Sequence, residues 1–496
     1  MKSVPDIRIQ KANEAPVHEK GDYVLYWMTA FRRISWNYSL DRAVEWAGEL
    51  DKPLIILEAL RSGYPWASDR LHAFILNGMA EHARELASST VVYYPYVEMD
   101  EGEGKGLLEA LAKKACVVVT DDFPAFFLPR MVSAAALKSP VCMEKVDANG
   151  MLPMRAADRV FPTAYAFRRF LQKTLPVYLM ERPKKAPFKG LRLKRLGALP
   201  KEILKRWPQA SETLLDPNPS ALSTLPIDHT VPITEIQGGA NAAVTLLDTF
   251  VENKLSRYSE LKNQPQEDVT SGLSPYLHFG HISTHQIFHA VIEKEEWFLD
   301  RPAPASKGQR RGWWGMGENA EAFLDQLITW RELGFNAAGS PGAGGANDYE
   351  GYNSLPNWAQ KTLKDHEMDE REYVYTHQDF EQARTHDPLW NAAQMQLLTE
   401  GRIHGYLRML WGKKILEWSM TPQDALKVMI DLNNRYALDG RDPNSHSGIL
   451  WCLGKYDRAW GPERRIFGKV RYMSSRNTAR KVDVREYAEK YAPHQP

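Results

Sequence analysis

Five short, almost unbroken apolar runs punctuate the first 150 residues: 22–30 (DYVLYWMTA), 53–60 (PLIILEAL), 90–97 (TVVYYPYV), 116–122 (CVVVTDD) and 141–148 (VCMEKVDA). Helical patterns fill 39–50, 68–88 and 105–115 between them. A short apolar run without polar alternation reads as a strand buried on both faces, and strands that alternate with helices imply crossover connections. The alternation predicts an α/β, Rossmann-like, doubly wound parallel sheet over residues 20–160. Ligands of such sheets bind beyond the carboxyl ends of the strands.

Beyond this domain the pattern degrades. Residues 161–235 are rich in Pro, Gly, Ser and Thr and include the basic stretch ERPKKAPFKGLRLKRLGALPK, which reads as an interdomain linker lying over a surface. From 236 to 496 strand patterns almost vanish. Helical periodicity marks 239–254, 281–294, 319–335, 357–366, 379–384, 390–400, 402–418, 422–434 and 484–491, so the second domain is all-α. The glycine-rich stretch 339–353 (GSPGAGGANDYEGYN) lacks the Gly-Lys-Ser/Thr ending of a phosphate loop and reads as a surface excursion.

Composition excludes several classes. A net charge of +1 rules out a uniformly basic nucleic-acid binder, but residues 401–496 carry 18 Lys and Arg against 10 Asp and Glu. Such a local excess suits a one-sided contact with an anion such as DNA phosphate, or a solvated surface. No apolar run spans a bilayer and no signal core opens the chain, which predicts a cytoplasmic protein without a membrane partner. Cys116, Cys142 and Cys452 are too widely spaced for a disulfide framework or a metal site, and no metal is expected. No interface signal stands out, so a monomer is the default.

Fifteen tryptophans are many for this length. Trp411 and Trp418 in LRMLWGKKILEW lie two helical turns apart on one face, roughly 10 Å along the axis, and Trp390 precedes them in THDPLWNAAQ. From spacing alone they read as core packing. Residues 258–283 hold a small polar loop, a proline at a helix start, and Tyr, His and Phe on the turns that follow. Hydroxyls and N–H groups at a helix start suit a phosphate, and equally an ordinary capped helix.

Taken in order, the stretches YWMTAFRRISWNYSL, SGLSPYLHFGHIS, THDPLWNAAQMQLLTEGRIHGYLRMLWGKKILEW, LNNRYALDGRDPN and FGKVRYMS resemble the photolyase and cryptochrome family, and within it the class II cyclobutane-dimer photolyases. The resemblance covers about residues 22–490 and is densest over 384–474. It implies a noncovalent FAD in the helical domain. Tyr258, Thr270, Ser271, Gly272, Leu273 and Ser274 would hold its phosphates and ribityl chain, with Arg331 and Asn444 as further cofactor contacts. Arg408 and Asp439 match the family's ion pair beside the isoalloxazine, and Asn433 the asparagine near flavin N5. Trp330 and Trp451 match the walls that stack on a flipped-out pyrimidine dimer, Met409 the methionine packed against it, and Arg471 the arginine that fills the gap in the duplex. Arg441 and Arg458 are further candidates for phosphate contact. Trp411, Trp390 and Trp418, in that order from flavin to solvent, match an electron-hopping triad. The implied activity is light-driven repair of cyclobutane pyrimidine dimers in ultraviolet-damaged DNA, a deoxyribodipyrimidine photo-lyase reaction.

One departure stands out. Class II enzymes usually carry glutamate where this chain has Gln326. A protonated carboxyl can donate a proton to the lesion, whereas the Gln326 amide can donate and accept hydrogen bonds only. Asp325, one position away, falls on another face of the helix, and Glu332 is expected to be structural. The departure keeps a second reading open, a cryptochrome-like FAD photoreceptor. An antenna chromophore in the α/β domain, deazaflavin or reduced folate, is also left open: RRISWNY is retained, but VDANGMLPMR (146–155) departs from the family's motif.

Overall fold

The five apolar runs each become a strand: β2 (Tyr23–Met28), β3 (Leu54–Leu60), β4 (Val92–Val97), β5 (Ala115–Asp121) and β6 (Met143–Val146), with a three-residue β1 (Ile9–Lys11) before them. The computed structural model describes residues 3–302, 307–339 and 349–493. The sheet order is β1-β6-β5-β2-β3-β4. All neighbours run parallel except β1, which pairs antiparallel with β6 at the edge. Central β2 places Leu25 opposite Ile55 on one side and Val118 on the other, and β2 and β5 are buried throughout. Helices α1 (Tyr38–Glu49), α2 (Asp69–Leu86), α3 (Leu107–Ala112) and α4 (Leu128–Ala136) are the crossovers. Asn37 starts α1, its side chain accepting from Ser39 N–H and Leu40 N–H. One core packs Leu25, Trp27, Ile55, Leu57, Tyr94 and Val118 with Leu111 and Trp207.

At the carboxyl end of β2, where a doubly wound sheet often seats an anion, three successive amides (Thr29, Ala30 and Phe31) donate to Asp121 Oδ2 at 2.8, 2.7 and 2.9 Å. The chain's own carboxylate fills that seat. Residues 146–155 form a turn braced by side-chain hydrogen bonds. Asp147 accepts from the Asn149 side chain at 2.8 Å and from Met154 N–H at 2.6 Å, and Asn149 donates to Asp122 O at 2.7 Å.

The chain divides into two compact units. The first comprises the described residues of Met1–Ala157, Leu175–Leu247 and Leu273–Ala290, and the second those of Asp158–Thr174, Asp248–Gly272 and Val291–Pro496. Residues 161–235 are therefore shared between the units. Helix Ala164–Thr174, with Phe167 and Leu171 buried, belongs to the second unit. The basic stretch after it belongs to the first.

The second unit is helical. Helices Pro388–Glu400, Gly405–Trp418, Pro422–Tyr436 and Pro443–Cys452 pack on one another, and Arg331–Gly339 packs on Pro443–Cys452. Close approach depends on two glycines: a Cβ at Gly412 would meet Cys452 Sγ at 2.5 Å, and one at Gly334 would meet the Pro443 backbone at 2.6 Å. Among the described residues no helix is long and apolar enough to cross a membrane. No His/Cys/Asp/Glu group that could hold a metal is found among them either. The three cysteines are free and buried. Residues 340–348 of the predicted glycine-rich excursion lie outside the described residues.

Candidate active site

Helix Gly405–Trp418 organises the site. His404 precedes it, and burial lowers the His404 pKa to about 4, so the imidazole is neutral. One turn on, Arg408 forms a bidentate pair with Asp439, at 3.1 and 2.6 Å. The pair keeps an open side: the side chains are 25% and 14% exposed, and Arg408 Nε is buried without a hydrogen-bond partner among the described residues. Asp439 sits just past the end of Pro422–Tyr436. On that helix Asn433 is buried, donating to Ser445 Oγ at 2.9 Å and to Asn434 Oδ1 at 3.1 Å.

Tyr258 is buried edge-on against Phe250 and Phe323, with centroids 5.7 and 5.5 Å away. Thr270 and Ser271 are half-buried, and Gly272 takes a φ of +66°, a turn that glycine adopts freely. Leu273 is buried and Ser274 exposed, at the start of a helix of only five residues, Ser274–His278. Arg331 is buried with its guanidinium 4.4 Å over Phe335, and Asn444 is exposed at the start of Pro443–Cys452.

Gln326 and Trp330 lie in a π-helical turn, Asp325–Trp330, inserted between Glu318–Leu324 and Arg331–Gly339. Such turns shift the register of side chains and concentrate at functional sites. Gln326 is exposed and Trp330 half-buried. Asp325 is committed elsewhere, gripped by Arg168 at 2.7 and 3.0 Å. Glu332 is buried.

Exposure divides the tryptophans. Trp330 and Trp451 are half-buried, as is Met409. Trp390, Trp411 and Trp418 are 0%, 2% and 3% exposed. Trp390 donates its indole N–H to Trp411 O at 3.0 Å and stands edge-on to Trp418 at 5.9 Å. Trp411 donates to Gln394 Oε1 at 2.8 Å. The outer end differs from the expected order, because Trp418 does not reach solvent. It contacts half-buried Tyr375 at 5.7 Å and exposed His386 at 5.0 Å, and Tyr375 is hydrogen-bonded to His386 at 2.8 Å.

Of the three arginines expected at DNA, two are accessible. Arg471 pairs with Asp457 at 2.7 and 3.0 Å and stacks 4.0 Å over Trp460, and exposed Arg458 lies 4.3 Å over the same ring. Arg441 is not available for phosphate. It is 2% exposed at a φ of +65°, and its guanidinium donates to the carbonyls of Asn434, Ala437 and Leu438. It ties off the end of Pro422–Tyr436, where helix carbonyls lack partners. Sequence reasoning also missed Lys413, a fully buried ammonium. It donates to Cys452 O at 2.7 Å and lies 4.8 Å over the Trp451 ring, and burial lowers its pKa to about 8. Its lysine-lysine context in WGKKILEW looks like surface. The buried Gln394 gave no signal either.

No protein-family model matches the chain. It is 33% identical over 487 residues to the deoxyribodipyrimidine photo-lyase of Methanothermobacter thermautotrophicus, covering 97% of both sequences. The chain belongs to the photolyase/cryptochrome family. The deoxyribodipyrimidine photo-lyase of Arabidopsis thaliana is 30% identical over 491 residues, 97% of this chain and 90% of that one. Among solved structures, an archaeal photolyase from Sulfolobus tokodaii containing two FAD molecules matches with a TM-score of 0.63 at 14% identity. The match covers 94% of this chain and 89% of that one, and shows that the photolyase fold is shared.

Proposed function

We propose that this photolyase-family enzyme binds FAD in its helical unit and uses light to repair cyclobutane pyrimidine dimers in ultraviolet-damaged DNA. The observation that carries the reading is the helix Gly405–Trp418. Within four positions it carries the half-open Arg408–Asp439 pair, the half-buried Met409, and buried Trp411, whose backbone carbonyl holds the Trp390 indole.

The residues fit the cofactor. Arg408 keeps a buried Nε that is unpartnered among the described residues while its other nitrogens hold Asp439, so a further acceptor can be bound without breaking the pair. A reduced flavin, when bound, would supply an electron on excitation by blue or near-ultraviolet light. Arg408 supplies positive charge to balance an anionic ring, and Asn433 offers an amide held in place by Ser445. Thr270, Ser271 and Gly272 suit phosphate oxygens. Trp330 and Trp451 offer ring faces to an extruded pyrimidine dimer, where stacking contributes about 1–3 kcal/mol per base. Gln326 holds lesion carbonyls by hydrogen bonding without giving a proton. Arg458 and Arg471 meet the DNA backbone and the gap in the duplex.

The second reading is a cryptochrome-like photoreceptor, favoured by Gln326, whose amide occupies an exposed position on the π turn where a carboxyl is expected. An antenna in the α/β unit would need a site other than the Asp121-filled seat. Flavin absorbance tests both light-driven readings. The purified protein should be yellow or blue, or become so with FAD, and Asp439→Asn should lower FAD retention at least tenfold. A colourless protein that takes up no FAD would sink both.

A further inference from the structure

Residues 182–206 carry ten Lys and Arg against a single acid, Glu202, in a chain whose totals are 63 against 62. All ten basic side chains are exposed. The segment is irregular until the short helix Lys201–Arg206, yet it is pinned at both ends within the α/β unit. At one end Lys184 N–H donates to Asp41 Oδ2 at 2.8 Å, and Lys184 O accepts from Trp36 N–H at 2.8 Å. At the other, Leu199, Ile203 and Trp207 enter the core beside Tyr94 and Leu111, and the Trp207 indole donates to Glu103 O at 2.9 Å. Apolar residues at this end anchor the stretch, which leaves the cations outward.

Few of these cations are neutralised. Lys194 pairs with Asp51, whereas the contact of Arg182 with the His289 ring leaves its charge unbalanced. Among the described residues, Lys185, Lys189, Arg192, Arg195, Lys201 and Lys205 have no carboxylate within ion-pair distance. A surface that only needed solvation would mix both signs, whereas a single-sign strip concentrates potential. Because the backbone is already pinned, a polyanion bound there would incur little ordering cost.

We propose that residues 182–206 form a second, sequence-independent contact for duplex DNA phosphates, on the α/β unit and separate from the lesion site of the helical unit. The choice of DNA as the polyanion rests on the repair reading above. The strip supplies affinity for undamaged flanking duplex and carries no lesion specificity.

The test compares the FAD-loaded protein with a variant in which Lys185, Lys189, Arg192, Arg195 and Lys201 are changed to Gln. A matched control has Lys20, Lys105, Lys113, Lys138 and Lys427, all exposed, changed to Gln. Binding to an undamaged duplex of about 30 base pairs is followed by anisotropy from about 50 to 200 mM salt. Each phosphate interaction removed should lower the slope of log K against log salt by about 0.9, so the strip variant should lose about 2–4 in slope and at least tenfold in low-salt affinity. The matched control should lose less than half of that. Unchanged binding by the strip variant, or an equal loss in both variants, would overturn the proposal. So would loss of binding to phosphatidylserine vesicles with duplex binding intact. Dimer repair at saturating substrate keeps the two readings apart. Strip-dependent duplex binding without any repair would remove the repair reading alone, and repair with strip-independent binding would remove this one alone.

Discussion

The Trp390 indole donates its N–H to the backbone carbonyl of Trp411 at 3.0 Å, which fixes one buried ring against the helix that carries the next. With Trp418 at 5.9 Å and Tyr375 beyond it at 5.7 Å, three rings stand in series from buried Trp390 to half-buried Tyr375. On the proposed function, Trp411→Phe should slow photoreduction of oxidised FAD at least tenfold, while repair by chemically reduced protein stays within twofold. Removing the indole N–H also leaves Gln394 Oε1 unpaired, at a cost of about 1–3 kcal/mol to be read from denaturant unfolding. Photoreduction surviving at the wild-type rate would return these rings to core packing.

Gln326→Glu tests the departure from the expected carboxyl. Gln326 is exposed, so a carboxyl placed there before DNA binds would ionise near the ordinary range, about pH 4.3. Repair by the variant should exceed wild type, and the gain should grow as pH falls and the acid form fills. A pH profile superimposable on the wild type would mean that the amide is not limiting.

Arg441→Ala distinguishes a structural from a DNA-contacting arginine. Loss of the hydrogen bonds to Ala437 O and Leu438 O, with those carbonyls left buried, should destabilise the protein by about 2–4 kcal/mol. DNA affinity and its salt slope, measured below the melting transition, should not change. A salt slope reduced by about one would instead make Arg441 a phosphate contact.

The correction at Arg441 shows where sequence reasoning stops. In LDGRDPN the flanking Gly, Asp and Pro resemble an exposed loop, and only the positive φ and the converging helix carbonyls turn the side chain inward. Helix Pro443–Cys452 was missed for the same reason: its start, PNSHSG, has a poor helix-forming composition and is held by capping from Asp442. Edge strand β1 has three residues and no apolar run. The π turn at Asp325–Trp330 leaves no composition signal. By contrast, the central strands β2, β3 and β5 were legible because both their faces are almost wholly buried and their sequences are almost wholly apolar. The helix Gly405–Trp418 was legible because Arg408, Met409 and Trp411 keep their family spacing, but the burial of Trp418 depends on Tyr375 and His386, which are distant in sequence.

Lys413 predicts a pH dependence of stability. Burial lowers its folded pKa from 10.5 to about 8, so between those values the unfolded chain binds more protons than the folded one. This contribution to stability therefore rises with pH from about 8 to 10.5, by up to ~3 kcal/mol. Lys413→Met removes the titration. The wild-type minus variant difference in unfolding free energy should increase between about pH 7.5 and 10, and a flat difference would place an ordinary lysine at this position.

The most direct test of the account uses a duplex with one defined thymine dimer, incubated with FAD-loaded, chemically reduced protein, kept dark or exposed to blue light, and analysed for restored thymines. Conversion is expected only in the light, with Trp330→Ala and Trp451→Ala each lowering it at least tenfold. Intact dimers after illumination of protein with reduced FAD bound would contradict it and leave the photoreceptor reading in its place.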